Sequence, residues 1–374
     1  MKGKTFLTLL VVTGLLAALW FFRFGTEEHT GAVKMGDKLF TDLPVNAVAT
    51  VTIADSESKV TLVKGDNVWQ VDGRSGYPAD FDALRELVVK LSRLKIGRSF
   101  PASTESLARL SLMAPSSPDT SSRGKQITLK DPSGKILADV ILGQSRETGS
   151  GEGGGQYLKK ADVDTVFLVD GSFRFLKTAP AQWLKKEILN VNAEDVNSVA
   201  CYVDDARTPV YTLSRPEKGE LAKMTPIPPG RTADSAKIDQ VFDALAPLTL
   251  DDVQAGDGES PQADSSRTRL VYQLYDGRQI SIYPESDGKD SFTLRVAASD
   301  SIGQKQATGA PEPQPADEKK QAGEAATPAP KTARQLNEEL SPWVFSVKKW
   351  QFDSFITQPG LLLEEVKQKD DSTS

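Results

Sequence analysis

Apolar residues recur at helical spacing over residues 77–99, where Phe81, Leu84, Leu87, Val88, Leu91 and Leu94 fall on one face. Asp80 stands at the cap position and Asp82 adds negative charge to the first turn. Lys90, Arg93 and Lys95 crowd the last turn before Gly97, as the helix dipole favours. The spacing therefore predicts an amphipathic helix with both ends marked. The pattern returns 154 residues later, where Asp234 takes the cap position and Ile238, Val241, Phe242, Leu245 and Leu248 repeat the stripe.

Alternating positions flank these stripes. Residues 45–53 and 59–65 read as strands, with Trp69 in a third short one before the helix. After it, residues 126–130 and 135–142 flank Asp131-Pro132-Ser133-Gly134, a turn in which proline presets the first position and glycine closes the hairpin. Residues 156–160 and 165–169 read as two more strands, and a short helix is expected over 180–189. The order then repeats: Val196, Val199 and Cys201 keep the spacing of Val48, Val51 and Ile53 at an offset of 148, residues 209–215 stand where 59–65 stood, and Asp276-Gly277 closes a second hairpin. Residues 292–298 and 343–352 complete the strand-like segments. The expected architecture is α+β: an N-terminal transmembrane helix followed by two duplicated units, each an antiparallel sheet covered by one amphipathic helix.

Two segments break the alternation. The apolar run that begins at Phe6 and ends at Phe22 carries no charge, follows Lys2 and Lys4, and would span about 26 Å as a helix. Its expected role is an uncleaved anchor within residues 1–25, a single pass through a bacterial inner membrane with the body in the periplasm. Residues 303–335 contain no Val, Ile, Leu, Met, Phe, Tyr or Trp and read as a disordered Pro/Ala-rich excursion. The domain boundaries that follow are 37–178 for the first repeat, 179–358 for the second, and 359–374 for a tail.

Composition narrows the chemistry. The 374 residues carry a net charge of -6 with basic and acidic residues interspersed, so no basic stripe is available for phosphates and nucleic acid is not an expected partner. Cys201 is the only cysteine and alternates with Val199 and Val203, which suits core packing. His29 is the only histidine and lies far from any strand, which disfavours a Ser-His or histidine-rich zinc site. The acidic pairs Asp204-Asp205, Asp251-Asp252 and Asp162 with Asp164 lack calcium-loop spacing and suit surface turns. Glycines at 149–155 lack the Gly-Lys-Ser/Thr of a phosphate loop, and Lys95 and Arg98 are accounted for by the helix terminus. No catalytic, cofactor-binding or metal-ligating residue is assigned, and no cofactor is expected.

The strand pair ending near Trp69, the Tyr77-Pro78-Ala79-Asp80 helix start with its leucine ladder, the repeat and the N-terminal apolar run together resemble a bacterial family of unknown function. Its members are membrane-anchored extracytoplasmic proteins often encoded beside gliding-motility-type ABC transporters. The second helix start, Thr232-Ala233-Asp234, departs from the motif in lacking the tyrosine and proline. The resemblance implies a non-catalytic accessory or interaction module of an ABC-type transporter, with transporter subunits and the membrane, reached through Phe6 to Phe22, as partners. The alternatives are a lipid- or glycan-binding protein with a cleft between the repeats and, third, an enzyme using carboxylates or serine. An interaction module needs an apolar patch or open sheet edge, a binding protein a cleft, and an enzyme converging carboxylates with displaced pKa values.

Overall fold

The computed structural model describes residues 34–146, 154–204, 206–257, 267–300 and 331–366. In the first part of the chain, β1 (Thr50–Ala54), β2 (Lys59–Lys64) and β3 (Trp69–Val71) precede helix α1 (Phe81–Ser92). There follow β4 (Ile96–Pro101), α2 (Thr104–Arg109), β5 (Lys125–Lys130), β6 (Ile136–Ser145), β7 (Gln156–Lys160) and β8 (Thr165–Val169). These strands form one eight-stranded sheet in the order β3-β2-β1-β5-β6-β7-β8-β4. The antiparallel register opposes Val51 to Leu129 and Ile53 to Ile127, all fully buried, so alternate residues of neighbouring strands share one apolar face.

The second part runs β9 (Glu187–Leu189), β10 (Val196–Tyr202), β11 (Tyr211–Ser214), β12 (Lys223–Thr225), β13 (Arg231–Ala233) and α3 (Ser235–Asp243). Then come β14 (Leu248–Thr249), β15 (Asp252–Ala255), β16 (Arg269–Leu274), β17 (Arg278–Ser286) and β18 (Phe292–Asp300). Last are α4 (Ala333–Leu340), β19 (Trp343–Ser346), α5 (Lys349–Phe352) and β20 (Leu363–Glu365). Another eight-stranded sheet has the order β12-β11-β10-β16-β17-β18-β19-β15, the same connectivity as the first, and two-stranded ribbons pair β13 with β20 and β14 with β9. By compactness the chain falls into two units, residues 1–60 with 85–178 and residues 61–84 with 179–374.

The α+β expectation of two sheets each covered by one helix is therefore corrected. The protein is mostly β, with two eight-stranded antiparallel sheets and five short helices among the described residues. One reason lies after α1. The helical spacing continues to residue 99, but the chain leaves the helix after Ser92 and Ile96–Pro101 pairs with β8, setting Phe100 opposite Val166. Similarly, the helix expected over 180–189 is one tight turn, Pro180–Trp183, followed by β9. The strand expected over 343–352 ends at Ser346 and gives way to α5. In the first two cases pairing with a distant strand outweighs a weak local preference.

The inner-membrane placement is corrected as well. No helix among the described residues is long and apolar enough to cross a membrane. The longest, α1, has 12 residues and reaches about 18 Å against a hydrocarbon core of about 30 Å. A single-pass anchor holding the body in the periplasm is thus not supported. The run from Phe6 to Phe22, His29 and residues 301–330 of the Pro/Ala-rich stretch lie outside the described residues, while Ala333, Arg334 and Gln335 open α4.

Both helix stripes have a physical basis in burial and capping. The Asp80 carboxylate accepts the Ala83 N–H at 3.0 Å and that of Asp234 accepts the Lys237 N–H at 3.1 Å. Leu84, Leu87, Val88, Leu91 and Leu94 are buried, but Phe81 is 53% exposed. Leu91→Ala should cost about 2–5 kcal/mol through lost burial and a cavity, and Phe81→Ala about 1 kcal/mol or less, as read from denaturant unfolding of the full chain.

Candidate functional site

The segment 69–81 is built to hold a fixed shape. After β3 the chain reverses through Gly73 and Gly76, whose φ of 75° and 82° lie where a side chain would be strained. The reversal is closed by the Tyr77 N–H donating to the Arg74 carbonyl at 2.9 Å and by the Val71 N–H donating to the Tyr77 carbonyl at 3.1 Å. Beyond it, the Ala79 N–H donates to Trp69 O at 2.7 Å, the Lys185 N–H to Pro78 O at 3.0 Å, and the Asp80 N–H to Trp183 O at 2.7 Å. The Tyr-Pro-Ala-Asp motif thus serves as a backbone splice between β3 and residues 183–185.

Side chains secure the splice. The Tyr77 ring, 4% exposed, meets Trp343 edge-on at 5.1 Å and Phe345 at 6.2 Å, and its hydroxyl donates to Lys185 O at 3.2 Å. Burial, and then the nearby Glu339 carboxylate, raise its pKa well above the usual tyrosine value. Arg74 grips Asp252 through Nε at 2.7 Å and Nη2 at 2.9 Å. Both groups are partly solvated, so this pair contributes at most about 1 kcal/mol.

Against this splice opens a cleft of about 1260 Å³, lined only by residues from 61–84 and 179–374. Trp69, Phe81 and Trp343 supply aromatic surface, with Pro78 and Pro342 beside them. Asn67, Asn190 and Asn192 supply amides, and the run 187–192 forms a continuous part of the wall. Most charges on the lining are neutralised in place. Lys331 Nζ holds Glu339 at 2.5 Å, Arg278 holds Asp276 at 2.6 Å, Lys218 holds Asp195 at 2.7 Å and Arg334 holds Glu338 at 2.8 Å. The volume exceeds that of an ordinary small-molecule pocket, about 300–1,000 Å³, and suits an extended ligand.

The residues weighed from sequence do not gather here. Asp252 is the Arg74 partner, while the Asp251 carbonyl accepts from Lys186 Nζ at 2.9 Å. Asp162 and Asp164 pair with Lys160 and Lys159 at 3.5 and 3.7 Å. Asp204 sits in a turn with φ of 50°, and Asp205 lies outside the described residues, as do Gly149, Gly151, Gly153 and Gly154's neighbours in 147–153. The Lys95 N–H donates to the Asp170 carboxylate at 2.9 Å. Cys201 is fully buried, and burial pushes its thiol up to about 11. Among the described residues no group of three His, Cys, Asp or Glu side chains could hold a metal. Trp69 marks the end of the strand pair in the sequence, whereas Trp343 and Asn190 carry no motif of their own; the fold brings all three to one cleft.

The Tyr77 geometry has a pH consequence. Its folded pKa lies above the unfolded value near 10.0, so the folded state retains the proton longer and stability is full below that value and falls as pH rises past it. Tyr211 and Tyr272, raised by burial in the same direction, add to this fall. In urea unfolding series at rising pH, Tyr77→Phe should lose about 1 kcal/mol at neutral pH through the missing hydrogen bond and show a shallower alkaline decline than the parent.

No curated protein and no solved structure matches the chain. Residues 69–271, from the first residue of β3 into β16 and so including the splice, match the domain of unknown function DUF4340. The match covers more than half of the sequence, and the chain belongs to the DUF4340 family.

Proposed function

We propose that this protein is a non-catalytic interaction module that takes an extended segment of a partner protein into the cleft beside Tyr77. The observation that carries the reading is the lining itself: aromatic and proline surface, side-chain amides and mostly self-neutralised charges. The acids with displaced pKa values fit turns rather than a catalytic centre. Asp131, for example, is held low chiefly by the Ser133 hydroxyl, and Asp287 by the Lys289 and Ser291 N–H groups. Support for the class of partner comes from the family resemblance, which favours a subunit of an ABC-type transporter; that step rests on analogy.

A second reading, a glycan ligand, is favoured by one observation: Trp69 and Trp343 line the same cleft as Asn67, Asn190 and Asn192, indole rings and amides that suit sugar rings. A lipid fits less well, because charged side chains line the cleft.

Cys201 is buried and inert, so a new surface thiol can be addressed alone. Phe81→Cys carrying a short photocrosslinker, in the full chain expressed in its own cells, should form discrete protein adducts. Leu221→Cys, at an 85% exposed position not among the cleft residues, should not. Equal adduct patterns from both positions, or none from Phe81→Cys, would remove the interaction-module reading.

A further inference from the structure

One wall of the cleft contains an open strand edge. In its ribbon, β9 has β14 as its sole strand neighbour among the described residues, and the stretch 187–192 faces the cleft. Just upstream the chain is also paired with the splice: Ala79 bridges Leu184, and the Lys185 N–H donates to Pro78 O. On the other side the Leu250 N–H donates to Lys186 O at 3.0 Å. Successive residues of an extended chain aim their backbone groups to opposite sides, so the splice and β14 occupy opposite edges. The edge used by Pro78 and Ala79 is therefore the one left open at β9, where the cleft begins. Such an edge presents amide and carbonyl groups that another extended backbone can satisfy.

The charges lining the cleft are not balanced. Lys64 and Lys185 are exposed and pair with no carboxylate among the described residues, in contrast to Lys331 and Arg278. Glu187 is the one lining carboxylate without a cation, and it accepts the Asn190 amide at 3.2 Å. The uncompensated groups are thus two ammoniums and one carboxylate, which favours an occupant carrying negative charge.

We propose that β9 receives an acidic, extended segment of a partner protein as an added strand, with the segment's backbone pairing with β9 and its carboxylates meeting Lys64 and Lys185. This deepens the interaction-module reading and rests on it.

The probe is a fluorescent hexapeptide of alternating Glu and Val, added to the full-length chain and followed by anisotropy. Its controls are the Lys/Val counterpart and a Glu/Val peptide N-methylated along its backbone. The Glu/Val peptide is expected to bind about tenfold or more tightly than the Lys/Val peptide, and to lose about tenfold on the exposed double change Lys64→Glu with Lys185→Glu. The N-methylated peptide is expected not to bind. Unchanged thermal unfolding of the double variant keeps the comparison valid. Equal binding of the N-methylated peptide would overturn strand addition, and equal binding of the Lys/Val peptide would overturn the acidic preference. If no peptide bound while Phe81→Cys still crosslinked to a partner, the strand-addition inference would fail and the interaction-module reading would stand. Absence of both would sink the two together.

Discussion

The Tyr77 ring fastens the segment on which the cleft depends. Edge contacts to Trp343 and Phe345 place it against β19, and its hydroxyl reaches Lys185 O just before β9. The backbone bonds of Pro78, Ala79 and Asp80 then fix Trp69, Phe81 and residues 183–185 relative to one another. A tyrosine suits this position because the ring fills an apolar site while the hydroxyl satisfies a carbonyl that would otherwise be left without a partner. Gly76 and Pro78 serve the same end, the first by permitting the reversal and the second by leaving no N–H to satisfy.

The cleft that results carries charges that mostly neutralise one another. Ion pairs around α4 and β17 tie down Lys331, Glu339, Arg278 and Glu338, while Lys64, Lys185 and Glu187 form no ion pair among the described residues. Aromatic rings and amides provide contact area without demanding one ligand geometry.

Features whose signals are local were legible in the sequence. The leucine ladder of α1 follows from 3.6-residue periodicity and the Asp80 cap, and β7 and β8 coincide with the strands expected over 156–160 and 165–169. At the Asp131 hairpin, Gly134 adopts a φ of 84°, the conformation its place in the turn calls for. Features made by distant pairing were not. Ile96–Pro101 continues the helical pattern on paper and becomes β4 only because β8 lies alongside. β9 has three residues, too few for any period to show. α4 did carry a signal: Thr332 and Gln335 form a reciprocal cap, a pattern visible as Thr-x-x-Gln but hidden by the low hydrophobicity upstream. In the cleft, Tyr77 and Trp69 stand out in the sequence, whereas Trp343 and Asn190 are ordinary residues until the fold collects them.

Hydrogen–deuterium exchange on the free full-length chain tests the open edge most directly. Because β9 pairs on one side only, the stretch 187–192 is expected to exchange much faster than β10 and β16, whose amides pair within the sheet on both sides. Protection of 187–192 equal to that of β10 and β16 would contradict the account, since the edge would then already be covered and have no place for an added strand.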